Sequence, residues 1–392
     1  LALMKRLKTS ILVLISLGLA WAMCACDERS GQTVESAYLY PIEPAPQYSF
    51  SRHGSTSVDY RTVDLLESSL GVMYRSYLAP ANVGNEVFWQ TLMRYYESGY
   101  HQGYAPLSYV ARSLRMSSER QDVLRDLQGL LDETARISGF SREGKAYQRN
   151  TVAVAGTPGY IGNRHYYVDA RGLVVADVFD RYVRGAIYLD QLYSVYTDEQ
   201  QLFAPEVERQ HEDLALLSGK NYTALEHAWD MAYGNFRQWR AMLKADGIPL
   251  LKGREQAIFE AFVRGRVHIG YYDYASLRRE LALIRYELAR AIAVRAIHLL
   301  IGANTLANLN EEAPYAYQSI SQAIGLIYCL AFTQDDKGQA YLSYRDAKAL
   351  AETLLSGEGL WDVERLRGDK TREGSLAYVA EALARPFGIS LQ

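Results

Sequence analysis

The hydrophobic positions of this chain recur mainly at the helical period. Val63, Leu66, Leu70 and Met73 step by three or four residues, the spacing that lines one face of an α-helix, and with Leu78 they define a segment over 58–78. The same pattern predicts helices over 85–98, 118–138, 173–198, 206–217, 223–245, 253–270, 274–302, 314–332, 343–356 and 372–385. The ten prolines lie between these segments or at their edges, as expected if a proline inside a helix costs about 3 kcal/mol. Ser118 with Gln121 and Thr223 with Glu226 match the capping box that opens a helix. Leu277, Leu281, Ile284, Leu288, Ile292, Arg295 and Leu299 make a near-heptad stripe broken once by the arginine. No segment alternates for long enough to make a strand, 151–154 being the best short candidate. The expected fold is all-α, built from packed helical bundles.

The irregular stretch 139–172 organises this pattern. It divides the chain into an N-terminal bundle over 58–140, a connecting loop over 141–172 and a C-terminal bundle over 173–392. Loops of that length are uncommon inside compact domains, and this one serves either as a pocket wall or as a connector. Its glycines are not a phosphate loop, because no Gly-Lys-Ser/Thr follows them. A faint echo links two long segments, Gly185-Ala186-Ile187-Tyr188 and Gly325-Leu326-Ile327-Tyr328, the kind of trace a duplicated bundle would leave.

The beginning of the chain reads differently. Lys5, Arg6 and Lys8 precede Ile11 to Met23, thirteen uncharged and mostly apolar residues. That run is short for a bilayer of about 30 Å and right for a signal-peptide core. It ends in Ala22-Met23-Cys24-Ala25-Cys26, which resembles the lipobox of bacterial lipoproteins. Residues 1–25 are therefore expected to be a lipoprotein signal peptide and Cys26 the lipidated first residue, anchoring the protein in a membrane. Residues 26–57, rich in Pro, Ser and Tyr, read as a tether. The expected location is the envelope of a Gram-negative bacterium, at the outer membrane or cell surface. Removing the three basic residues of the leader takes the formal charge from −3 to −6. A mildly acidic chain without basic blocks argues against nucleic acid as a partner. Cys329, in an apolar run, is the one thiol left free, so no disulfide framework exists.

Candidate chemistry centres on 223–236. Glu226 falls where a capping box needs it, and His227 and Asp230 follow at i and i+3, on one helical face. That spacing suits one metal ion, as in helical-bundle carboxylate sites, or an aspartate that fixes a histidine tautomer. Further ligands would come from Glu260, His268, Glu280, Glu287 or His298. The seven histidines form no His-Glu-x-x-His, so a metallopeptidase reading is unsupported, and no other hydrolase motif supports an enzyme. Thirty-one tyrosines in 392 residues are a second feature. They suit bundle interfaces, or else stacking on haem or sugar rings. Tyr166 and Tyr167 in the connecting loop, with Arg264 to pair an anionic group, are the candidates for such a ligand site.

The run Glu226-His227-Ala228-Trp229-Asp230-Met231-Ala232-Tyr233-Gly234-Asn235-Phe236 resembles the signature of a family of imelysin-like surface lipoproteins, a domain of unknown function. The resemblance continues through Gly253 to Ile258, Arg295 to His298 and Ser321 to Tyr328, and covers roughly residues 46–365. It implies two helical bundles with a cleft between them and a link to bacterial iron acquisition. His227 and Asp230 match the histidine and acid of the imelysin Gly-x-His-x-x-Glu motif, whereas Leu225 stands in place of its glycine. Met231 stands where the related lipoproteins usually carry an acid, and Asn235 where they carry tyrosine. Two expectations follow. One is an envelope binding protein for iron, zinc or haem, with His227, Asp230 and His298 as metal ligands and an outer-membrane transporter as partner. The other is a glycan or nutrient binder that uses tyrosine platforms.

Overall fold

The computed structural model describes residues 47–99, 106–138, 151–162, 166–309 and 314–391. Cys26, the leader and the first part of the tether lie outside them. Most of the predicted segments appear as helices. In chain order they are α1 (Arg61–Met73), α2 (Trp89–Ser98), α3 (Arg120–Ile137), α4 (Val175–Arg184), α5 (Pro205–Glu212), α6 (Ala224–Arg237), α7 (Arg254–Gly270), α8 (Tyr274–Ile301), α9 (Pro314–Cys329), α10 (Tyr344–Leu354) and α11 (Leu376–Ala384). The molecule is mostly helical, as the periodicity predicts. Its described strands are two short antiparallel hairpins: β1 (Ser51–Arg52) with β2 (Ser55–Thr56), and β3 (Gly159–Ile161) with β4 (Tyr166–Val168). The 151–154 segment adds only isolated bridges to this second hairpin region.

Three differences from the sequence pattern have physical causes. Pro80 lies inside a continuous helix, because α1 runs on through Tyr74–Leu78 into Ala79–Asn82. The chain widens into a π turn just before it, so the ring avoids the carbonyl one turn back. Ser118 does not cap α3: its hydroxyl donates to Glu119 Oε2 at 2.6 Å, and the helix starts from Glu119. Residues 47–57, read as the end of the tether, fold back as a strap on α6 and α7.

Helix α8 is the central element, packed against α7, α9 and α11. Its C-terminal half is buried on most sides, including Ala291, Ile292, Ala293, Val294, Ala296 and Ile297, which lifts it out of the one-sided pattern of a surface helix. Arg295, the break in the heptad stripe, donates from Nε to the Met242 carbonyl at 2.9 Å and also bonds Lys244 O. It thus ties α8 to the turn after α6. One buried cluster runs through both halves of the chain, joining Leu127 and Leu131 to Phe179, Phe262 and Ile327.

The sequence echo becomes a helix pair. A Cβ at Gly185 would lie 2.6 Å from Cys329 Sγ, and one at Gly325 would lie 2.6 Å from Arg181 Cβ. Val174 N–H donates to Ser321 Oγ at 2.9 Å. These contacts advance in the same direction on both chains, so α4 and α9 run parallel at a separation only small residues allow. Next to them the Tyr182 and Tyr328 rings stack at 4.3 Å.

Candidate functional site

The signature helix α6 begins as its sequence dictates. Thr223 Oγ1 accepts from Glu226 N–H at 3.3 Å, and Glu226 Oε2 accepts from Thr223 N–H at 2.8 Å. His211 ties this cap to the end of α7. Its Nε2 lies 2.9 Å from the Ile269 carbonyl, which can only accept, so Nε2 carries the proton. Nδ1, 2.7 Å from Thr223 Oγ1, then accepts from the hydroxyl. Burial lowers the His211 pKa, consistent with that neutral tautomer.

Glu226, Asp230, Tyr233, Gly234 and Arg237 follow at i, i+4, i+7, i+8 and i+11, one face of α6. The strap and the start of α1 cover this face. Tyr48 stacks on Tyr233 at 3.8 Å, and its hydroxyl donates to Asp230 Oδ1 at 2.6 Å. Arg52 donates to both Glu226 oxygens at 3.0 and 2.9 Å. A Cβ on Gly234 would lie 2.6 Å from Tyr60 Cβ, so glycine lets α1 approach. Arg237 reaches over the Tyr60 ring and donates to Asp64 Oδ1 at 3.0 Å. Beside this face stands Trp229, whose Nε1 donates to the Phe262 carbonyl of α7 at 2.9 Å.

Arg266 of α7 closes the network. Its buried guanidinium donates from Nε to Asp230 Oδ1 at 3.1 Å, pairs with Glu226 Oε1 at 3.0 Å and donates to Ser57 Oγ at 3.2 Å. It also lies 5.1 Å from the Phe50 ring centroid. Burial pushes Asp230 up to about 7, against the pull of Arg266 and the Tyr48 hydrogen bond. Burial works the same way on Glu226, but Arg266, the Thr223 N–H and Arg52 outweigh it and hold that carboxyl below its usual range.

The sequence-predicted ligands have separate surroundings. Asp230 is engaged as above, with Oδ2 buried and without a hydrogen-bond partner. His227 stacks on Tyr222 at 4.9 Å beside Asp59 and Lys220; burial lowers its pKa, and its Nδ1 is buried without a partner. His298 is exposed, one turn beyond the Arg295 that bonds the far end of the α6 segment. His268 lies 3.6 Å from Asp273 and 3.9 Å from Glu280. Glu260 accepts from Gln256, and Glu287 accepts from Arg254. Among the described residues, no three His, Cys, Asp or Glu side chains come together to hold a metal ion.

The tyrosine candidates are also engaged within the chain. Tyr166 donates to Gln318 Oε1 at 2.7 Å. That glutamine and Gln322 both donate to buried Asp177, at 2.9 and 3.0 Å. Tyr167 packs over Gly84, where a Cβ would lie 2.4 Å from its ring. Arg264 holds Glu280 through two 2.8 Å hydrogen bonds. Tyr271 and Tyr272 are the partly exposed neighbours at the α7–α8 turn.

Two hollows remain. One of about 810 Å³ overlies the strap hairpin and is lined by Asp59, Arg61, Lys220 and Tyr222. There Asp59 accepts from Arg61, Lys220 and Tyr222, so its charges satisfy one another. The second, of about 490 Å³, opens between α3, α4, α9 and α10, with residues 169–173 as one wall. It lies between the two halves of the chain, and the long connecting loop does form a pocket wall. Tyr182, Tyr328, Ile324, Val178 and Leu355 give it an apolar floor. Two ion pairs cross its mouth, Lys348 to Asp126 at 2.8 Å and Arg171 to Glu352 at 3.1 Å. Leu360 N–H donates to Arg171 O at 2.8 Å, and Trp361 Nε1 donates to Ala170 O at 3.1 Å, which fixes the loop wall. A concave site with an apolar floor and converging polar groups is the usual form of a small-molecule pocket. Sequence reasoning missed this site because its residues come from four separate pieces of chain. The one available signal was the loop length.

No curated protein and no solved structure matches the chain. Residues 45–390, from the strap to the end of the described body, match the family model described as Domain of unknown function (DUF4856). The chain belongs to the DUF4856 family, a domain of unknown function.

Proposed function

We propose that this protein is a lipid-anchored, imelysin-like ligand-capture protein of the bacterial cell envelope. Cys26 would hold it in the membrane, and a bound small organic nutrient would pass to an outer-membrane transporter. The observation that carries this reading is the cavity of about 490 Å³, with an apolar floor and charged walls, between the two halves of the chain. The test is retention. The whole mature chain, in detergent, is equilibrated with a small-molecule extract of growth medium and washed, and what remains is identified by mass spectrometry. A retained compound that Ala351→Phe, which fills the cavity, fails to hold supports the reading. Identical retention by both chains, or none by either, sinks it.

The metal reading keeps one specific observation: Nδ1 of His227 and Oδ2 of Asp230 are both buried without a hydrogen-bond partner. Buried polar atoms are normally satisfied, and a bound ion is one way to complete each. Titration with iron, zinc and haem, read by elemental analysis and the haem absorption band, decides it. Stoichiometric binding abolished by His227→Ala would place the function in metal capture. Binding unaffected by that change would remove His227 from any site.

A further inference from the structure

Charge is layered around the cavity between α3, α4, α9 and α10. Three of its four acids lie deeper than the cations they pair with, the Asp169 side chain being 11% exposed, Asp126 20% and Glu133 24%, while Glu352 lies at the mouth. Its cations lie outside them, with Arg136 and Arg171 42% exposed and Lys348 43%. Asp169 Oδ1 accepts the N–H groups of Arg171 and Leu173, both at 2.8 Å, which pins its carboxylate in the wall. Glu133 is held by Arg136 on the next turn of α3 at 2.8 Å. Burial raises both carboxyls above their usual range, and Asp169 adds to the rise at Glu133, so the fields of the two acids overlap. Gly129, one turn before Glu133, also faces the cavity. A Cβ there would meet nothing within 4 Å, so this helix-interior glycine leaves room without any packing need.

We propose, resting on the capture reading above, that the cavity takes an organic cation. An amine or quaternary ammonium head would sit by Glu133 and Asp169, and an apolar body would lie over Tyr328, Ile324 and Leu355. Buried carboxylates are costly unless a positive charge compensates them. A tyrosine floor adds the attraction of ring faces for cations. The outer arginines and lysine disfavour a second positive charge at the mouth and tolerate an acidic group there, so the fitting class is a monocation or a zwitterion, not a polyamine.

The test uses the whole mature chain in detergent, with thermal shift and calorimetric titration. Three probes share one body: 2-phenylethylamine, neutral 2-phenylethanol and anionic 3-phenylpropionate. The expected result is saturable amine binding at least about tenfold tighter than the alcohol, the scale of one charge-assisted contact, and no saturation with the anion. A Glu133→Gln, Asp169→Asn double variant should lose about tenfold in amine affinity and none in alcohol affinity. Its circular dichroism should match that of the parent chain. Equal binding of amine and alcohol, both lost in Ala351→Phe, would leave the capture site standing and overturn the cation class. Amine binding that Ala351→Phe leaves intact would place the amine elsewhere and overturn the proposal, as would no saturable amine binding.

Discussion

The strap-covered face of α6 and the cavity between α3, α4, α9 and α10 are both rich in charge and aromatic rings, and they use them in opposite ways. On α6, Glu226 and Asp230 meet Arg52 and Arg266, and Tyr48 closes over Tyr233. Every long side chain there bonds another part of the same chain, and the strap leaves the face shut. Around the cavity two ion pairs cross the mouth and the deeper acids Glu133 and Asp169 sit in the walls, and the stacked Tyr182 and Tyr328 leave a hollow in front of them. A helix face that must receive a strap, a second helix and a buried guanidinium constrains residues at fixed spacing, so it reads as a motif. A cavity needs only that nothing fills it. The densest part of the signature therefore marks a packed junction, while the open site takes only Ile324 and Tyr328 from the run Ser321 to Tyr328.

The contrast breaks most readily at Arg266. Arg266→Met leaves two buried carboxyls with less compensation and should cost about 3–5 kcal/mol in urea unfolding. Arg171→Met at the cavity mouth removes a solvent-exposed pair and should cost less than about 1 kcal/mol. Similar losses for the two variants would erase the distinction between junction and mouth. Tyr48→Phe keeps the ring stack and removes one hydrogen bond to Asp230, for a loss of about 2 kcal/mol. Limited proteolysis should cut within 47–57 faster in that variant, whereas unchanged cutting would mean the hydroxyl does not hold the strap.

A smaller effect concerns pH. Burial raises Asp230 to about 7, so between about pH 4 and pH 7 the folded chain keeps a proton that the unfolded chain has released. The folded state binds more protons there, and this group's contribution to stability falls as pH rises through that window and levels off above it. Glu226, held below its usual range, acts with the opposite sign at lower pH. Urea midpoints measured from pH 4.5 to pH 8 should shift in favour of Asp230→Asn relative to the parent chain. A pH-independent difference would mean Asp230 is charged throughout. The smallest effect is a gain. Gly129→Ala places its methyl in open space and should stabilise the chain by about 1 kcal/mol through helix propensity. A loss would show that the backbone at Gly129 needs glycine for another reason.

Helices were legible because their signals are local. Thr223 with Glu226 gave the start of α6, and the spacing of Leu277, Leu281, Ile284 and Leu288 gave the buried stripe of α8. The echo of Gly185 and Gly325, read as the trace a duplicated bundle would leave, falls where α4 packs on α9, a pairing the sequence did not predict. What failed to show was any decision made by distant partners. Arg266 looks like a helix-surface charge until Ser57, Glu226 and Asp230 surround it. His227 and Asp230 share a helical face by spacing, yet Tyr222 engages one and Tyr48 with Arg266 the other. Pro80 argued for a helix end, and a π turn absorbed it instead. The cavity was hidden for the same reason, since Asp169 and Tyr328 become neighbours only through the packing of α4 on α9.

The Cys329 thiol sits inside that packing, wholly buried, with Sγ 3.1 Å from the Arg181 carbonyl and 3.2 Å from that of Gly325. Burial pushes its pKa far above that of a free thiol, and the reactive species is the thiolate. Cys24 and Cys26 are the only other cysteines, so a chain begun after Cys26 carries this thiol alone. Alkylation of such a chain can proceed only when α4 and α9 part, which makes its rate a clock for opening events. A compound held against the same helices should slow that clock by about the factor one plus its concentration over Kd, allowing ligands to be ranked from the mass of one modified residue.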